Sequence, residues 1–420
     1  MKVKVIEKSY EEVMALKIKK AKKPKKPNLF WRTLLKLVSL PDLLAVNLKC
    51  NKIGMKKLKR REPCFILMNH SAFLDLEIAT SIMYPRPINI VTTSDGFIGK
   101  NWLMRQLGCI STKKFTTDSK LVRDMLYTVN KLKSSILMYP EAGYTFDGTT
   151  TTLTESLGKC VKMLGIPLVF IITSGAYFRQ PLYNNLRKRK VQVEVKVEYA
   201  LSKEDVMNKT EFEINAIIAK YFSFDNFKWQ QENNVIIDDP NRAEGLHRIL
   251  YKCPHCLAEG KTEGIKDRLI CKECGKEYVL TPNGYLEATD GETIFKHIPD
   301  WCKWERNCVK EEIIADTYSF SKDVDIYMMV DTYSIYKVGD GHLSFDKNGY
   351  NLTGCNGKLN YHQNVLATHT INVDFYWYQI GDTISIGDSK ALYYCFPKDG
   401  SNVACKVRYA QEELYKILKK

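Results

Sequence analysis

The chain has 420 residues, 45% hydrophobic and 26% charged, a balance that excludes a disordered protein and leaves ample material for a core. Its net charge of +15 is segregated, because residues 1–61 hold 19 Lys and Arg against 4 Asp and Glu, and the rest of the chain carries 44 of each. Such an excess reads as a docking surface for something anionic, either lipid headgroups or nucleic acid. The 13 cysteines and the lack of a secretory signal pattern point to a reducing, cytoplasmic compartment.

At the N-terminus the basic run KKAKKPKKP (Lys19–Pro27) precedes LFWRTLLKLVSLPDLLAVNL (Leu29–Leu48). Arg32, Lys36, Pro41 and Asp42 interrupt the ~18–20 apolar residues that a bilayer crossing needs. The stretch is predicted instead as an amphipathic helix with Phe30 and Trp31 at its start. A polybasic run beside such a helix fits a segment lying in a membrane interface, so residues 19–50 are expected to dock on an anionic membrane surface. The expected location is peripheral, on the cytoplasmic face, with no transmembrane helix.

Residues 62–200 alternate strand and helix signals. Strands are predicted at Cys64–Asn69, Ile88–Thr93, Cys109–Thr112, Ser134–Pro140, Ile166–Thr173 and Val191–Ala200. Helices are predicted at Ala72–Met83, Phe97–Leu107, Leu121–Lys133 and Glu155–Leu164. This order predicts an α/β domain with a mostly parallel sheet and flanking helices. Functional groups in such sheets collect at the carboxyl ends of strands, where His70 and Glu141 fall. Asp75 stands five positions after His70, in the first turn of the next helix. A carboxylate there fixes the tautomer of the imidazole and leaves the other nitrogen as a general base. The competing reading is a helix start in which Ser71 or Asp75 serves only the backbone.

Four blocks in order give residues 62–175 a resemblance to the glycerolipid acyltransferase family. NHSAFLD (Asn69–Asp75) resembles its N-H-x-x-x-x-D block, and GCISTK (Gly108–Lys113) stands where the family has a glycine and a later arginine. YPEAGYT (Tyr139–Thr145) is similar to F-P-E-G-T-R-S, and GIPLVFI (Gly165–Ile171) to the V-P-hydrophobic block. The resemblance implies acyl transfer from acyl-CoA or acidic acyl carrier protein to the hydroxyl of a lysophospholipid, lysophosphatidate being the first choice. His70 and Asp75 become the catalytic pair, and Asn69, Lys113, Pro140, Glu141, Ala142, Gly143, Tyr144 and Thr145 the substrate-binding residues. Glu141 is expected to bond acceptor hydroxyls or to order its loop. The sequence departs from the family at Lys113, and at Ala142, Gly143 and Tyr144, where the family has glycine, threonine and arginine. Lysine is a point charge without the bidentate fork of arginine. Lys113, Lys114 and Arg105 are therefore expected to supply the lost charge.

Cys253, Cys256, Cys271 and Cys274 form two C-x-x-C pairs 14 residues apart, the spacing of a four-thiolate structural zinc ribbon. His255 inside the first pair is expected to be exposed, and Cys302 and Cys308 incidental. From about Glu311 the chain is rich in Tyr, Val, Ile and Gly and ends in a helical AQEELYKILKK, which predicts a β-rich domain closed by one helix, loosely resembling a pleckstrin-homology-like barrel. The predicted domains are 1–61, 62–247, 248–285 and 300–420. Two other readings compete with acyl transfer: a nucleic-acid-binding protein built on the ribbon and the basic segment, and a lipid-binding relative without chemistry. The neutral remainder of the chain offers no basic stripe near the ribbon, so no nucleic acid is expected.

Overall fold

The computed structural model describes residues 3–18, 22–114 and 118–419. Lys19 and Lys20 of the basic run lie outside the described residues. The N-terminal strand β1 (Val5–Glu7) belongs to the last sheet of the molecule. The first sheet is built from β2 (Lys49–Ile53), β3 (Phe65–Met68), β4 (Ile88–Thr93), β5 (Cys109–Thr112), β6 (Ser135–Met138), β7 (Leu168–Ser174) and β8 (Glu194–Leu201), in the order 2-8-7-3-6-4-5. Every pair is parallel except β7 with β8, so the expected α/β sheet is present with two strands reversed at one edge.

The FILM run of β3 is buried throughout because helices cover both faces of the sheet. Its residues alternate between two cores. Ile66 and Met68 join Ile78 and Val169 on one face, and Phe65 and Leu67 join Met125, Leu157 and Ile214 on the other. The helices Leu74–Ile82, Asn101–Gln106, Ser119–Asn130 and Ser156–Leu164 lie close to their predicted places.

The segment 1–61 does not stand apart as a domain of its own. Its strand β2 pairs with β8 in the first sheet, and β1 pairs with the C-terminal sheet. The amphipathic helix spans Leu29–Ala45, capped by Asn28, and continues through Pro41. It packs along the helix Leu74–Ile82 and buries Leu43. Its outer side leaves Phe30, Leu34, Leu37, Val38 and Leu44 exposed, a stripe at helical spacing. Among the described residues no helix is long and apolar enough to cross a membrane.

The cysteine module is a small antiparallel sheet of β9 (Thr262–Ile265), β10 (Arg268–Cys271), β11 (Glu277–Leu280) and β12 (Leu286–Ala288), so it runs slightly beyond the predicted end at 285. Lys252 fixes it to the helix Ile298–Ile314: its amide donates to the buried Glu305, and its carbonyl accepts from Trp301. The last domain is an antiparallel sheet of β13 (Phe320–Met329), β14 (Ile335–Asp346), β15 (Gly349–Gly354), β16 (Leu359–Gln363), β17 (Asn372–Trp377), β18 (Gly381–Gly387) and β19 (Leu392–Pro397). Strands 13 to 16 and 17 to 19 are two meanders joined through β13 and β19, with β1 added parallel to β14. The helix Ala404–Leu418 closes it, as expected. Arg306 ties this helix to Ile298–Ile314 through Glu412 and Glu413.

Candidate active site

Chain reversal after β3 brings Asn69 and His70 to the carboxyl edge of the first sheet. The buried Asn69 side chain staples this loop to β7: its Oδ1 accepts from the Thr173 amide (2.8 Å), and its Nδ2 donates to the Thr173 carbonyl (3.0 Å). Asp75 Oδ2 lies 3.1 Å from His70 Nδ1 and accepts from the amides of Ser71 (2.6 Å) and Ala72 (2.9 Å). The two readings of Asp75 are thus both realised in one carboxylate. Because that oxygen acts as an acceptor, the imidazole bond is made by Nδ1–H, which leaves the Nε2 lone pair available.

Glu141 holds the loop after β6 against His70. Its Oε1 accepts from the His70 amide (2.9 Å), and its Oε2 accepts from the Thr151 amide (3.0 Å) and hydroxyl (3.2 Å). Of the two expected roles, the geometry realises loop ordering. Burial pushes the Glu141 carboxyl up to about 7, against the pull of those bonds. Pro140 begins this turn, and Ala142 within it has a φ of 56°, a left-handed conformation that explains why the family's pattern has glycine there. Gly143 faces open space. The Thr145 amide donates to the His70 carbonyl (3.0 Å), and its hydroxyl to the Thr149 carbonyl (2.6 Å).

Tyr144 occupies a place that its sequence position did not suggest. Its ring lies on the His70 imidazole with centroids 3.9 Å apart, while Tyr139 stacks on it at 4.0 Å. The imidazole, with 19% of its surface exposed, sits between two phenols. Burial raises the Tyr144 hydroxyl well above its ordinary range, so it stays neutral. The periodicity of a sequence carries no signal for such a sandwich.

The three cations expected to replace the missing arginines are all engaged by protein groups. Lys113 Nζ donates to the Ser389 carbonyl (2.5 Å), and Arg105 donates to the carbonyls of Lys22 (3.3 Å) and Lys23 (3.1 Å). Lys114 pairs with Asp95 at 2.6 Å in a buried cluster completed by the C-terminal domain. There Tyr378 donates to the Asp95 carbonyl (3.0 Å) and Tyr394 to its carboxylate (3.3 Å). Burial alone would raise the Asp95 carboxyl, but Lys114, Thr93 and the Gly96 amide hold it below the usual range.

The sulfurs of Cys253, Cys256, Cys271 and Cys274 all lie within 4.8 Å of one another. Cys253 is 3.8 Å from Cys274, and Cys256 is 3.7 Å from Cys271. A tetrahedral zinc with bonds of about 2.3 Å sets its sulfurs about 3.8 Å apart, so the donor set fits that ion. His255 is exposed and outside the group, and the buried Cys302 leans on the Ile249 carbonyl, as expected of an incidental thiol.

Residues 49–174, which carry His70, Asp75 and Glu141, match the model of the Acyltransferase family. This domain belongs to the acyltransferase family. The matched segment begins at β2, which agrees with the place of that strand in the sheet. A solved structure, the 1-acyl-sn-glycerophosphate (LPA) acyltransferase PlsC from Thermotoga maritima, is similar with a TM-score of 0.37 and 13% identity, over 46% of this chain and 76% of that one. No curated protein matches the chain. The ribbon and the C-terminal β domain lie outside the matched segment, and the C-terminal domain docks on the acyltransferase domain beside its carboxyl edge, at Asp95 and Lys113.

Proposed function

We propose that the protein transfers a fatty acyl group from an acyl-CoA or acyl-carrier-protein thioester to the hydroxyl of a lysophospholipid, lysophosphatidate being the first acceptor to test. The observation that carries this reading is the His70–Asp75 bond, with Asp75 locked by two backbone amides, inside an acyltransferase-family domain. His70 Nε2 takes the proton of the acceptor hydroxyl as that oxygen attacks the thioester carbonyl. The tetrahedral adduct collapses, the new ester forms, and the carbon–sulfur bond breaks. The leaving thiolate takes the proton back from the imidazolium, so the base is restored without an acyl-enzyme. Asp75 orients the ring and stabilises the imidazolium. Asn69 and Glu141 are positioning residues, which hold the His70 loop to β7 and to the loop after β6.

The exposed stripe of the helix Leu29–Ala45, beside the basic residues 19–27, supports peripheral attachment to an anionic membrane surface on the cytoplasmic side. The four-cysteine site supports one structural zinc, held by four protein sulfurs. The test is acyl transfer by purified protein from labelled acyl-CoA and acyl carrier protein onto a panel of lysophospholipids. Transfer is expected to fall at least about 1,000-fold in His70→Ala, with the melting temperature kept. Undiminished transfer in that variant, or none by the native protein with any donor and acceptor, sinks the proposal.

A further inference from the structure

Beside the loops that follow β4 and β5 lies a cavity of about 560 Å³, a size usual for small-molecule sites. Three parts of the chain build it: Ile18, Lys22 and Pro24 near the N-terminus, the acyltransferase domain, and the C-terminal domain at Met329–Tyr333 and Asp388–Leu392. Its apolar wall includes Ile18, Phe97, Ile110, Met329 and Leu392. None of His70, Asp75, Glu141 or Tyr144 lines it, and much of the wall lies outside the matched segment 49–174. Lys113 and Arg105 are shared with the residues expected to supply charge to an acceptor, and both are engaged by backbone carbonyls.

The charges around the cavity are unequally committed. Asp118 caps the helix Ser119–Asn130, Asp124 pairs with Lys120, and Asp331 and Asp388 each accept backbone amides of their own turns. The ammonium groups of Lys22 and Lys390, by contrast, have no hydrogen-bond or ion-pair partner among the described residues. One wall, Trp102, is 65% exposed and meets Trp31 of the amphipathic helix edge-on at 5.5 Å. That contact sets the cavity wall next to the start of the helix, where Phe30 of the outward stripe in turn meets Trp31. A cavity with one apolar wall, a polar rim holding two cations without a partner among the described residues, and a place beside the amphipathic helix suits one kind of guest.

We propose that this cavity binds a single acyl chain carrying an anionic head, taken from the bilayer side past Trp102. The chain fills the space between Ile110, Met329 and Leu392, and its phosphate or carboxylate meets Lys22 and Lys390. Because the C-terminal domain supplies part of the wall, occupancy also strengthens its docking on the acyltransferase domain. The inference does not depend on acyl transfer at His70.

The test uses the full-length protein and two diazirine-bearing photoprobes below their micelle-forming concentrations, palmitate and a 1-acyl lysophosphatidate, with labelled peptides mapped by mass spectrometry. Saturable labelling is expected around Ile110 and Met329–Tyr333. It should be competed by unlabelled lysophosphatidate at least about 10-fold better than by neutral monoacylglycerol, and weakened about 10-fold or more by Lys22→Glu with Lys390→Glu. Labelling by the lysophosphatidate probe alone assigns the head as phosphate, by palmitate alone as carboxylate, and by both as either anion; each supports the proposal. It is overturned by no saturable label at these segments, by equal competition from monoacylglycerol, or by indifference to the double variant. The readout needs no turnover. An inactive protein that labels here counts against acyl transfer alone, and an active one that does not label counts against this site alone.

Discussion

Glu141 shows how much a single buried carboxyl can do without touching a substrate. It joins the His70 amide to Thr151, and burial holds its carboxyl near 7. Since the folded state keeps that proton to higher pH than the unfolded chain does, the contribution of Glu141 to stability is largest below about 4.5 and is lost as pH rises towards 7. Native protein should therefore lose stability relative to Glu141→Gln between pH 4.5 and 7, by up to about 3 kcal/mol, in paired denaturant titrations. A difference that is flat with pH would refute it. At this scale His70, Asp75, Asn69 and Glu141 were legible in the sequence, because short blocks of fixed spacing encode local geometry. The phenol sandwich on His70 was not, since it depends on how Tyr139 and Tyr144 fold back across a turn. The fate of Lys113, Lys114 and Arg105 was hidden for the same reason: their partners lie up to 276 positions away.

Among the elements, the buried strands declared themselves as unbroken apolar runs, and the helices between them by their period. β2 did not, because KCNKI is an edge strand with every residue exposed, and β1 is only three residues long. The helix Leu29–Ala45 was expected to be amphipathic and is, yet it also packs on Leu74–Ile82 through its other side. That division makes its outer stripe separable from folding. Leu37→Glu with Val38→Glu should lower binding to anionic vesicles by roughly 10- to 100-fold in a flotation assay, since two side chains lose their burial in lipid. Both residues are exposed, at 57% and 67%, so the melting temperature should hardly move. Unchanged flotation would remove this helix as the attachment element.

For the whole molecule, the decisive contact is the cluster around Asp95. Lys114→Ala leaves that carboxylate buried beside Tyr378 and Tyr394 with no cation, and should cost about 3–5 kcal/mol in denaturant unfolding. Pairing it with Asp95→Asn should recover much of that loss; no recovery would mean that the unpaired Asp95 charge is not what destabilises the variant. The change to a β-rich region near Glu311 was readable from composition, but the docking was not, because the surfaces that meet have no local pattern.

The pairing of β1 with β14 sets a timetable for synthesis. Val5 faces Ile335, about 330 positions further along the chain, so β1 leaves the ribosome long before its neighbour is made. At 5–20 residues per second that interval is roughly 15–65 s, during which the acyltransferase domain can already close. Sealing the C-terminal sheet is then a late, long-range event, and the β14 edge stays open to other chains until the N-terminus returns to cover it.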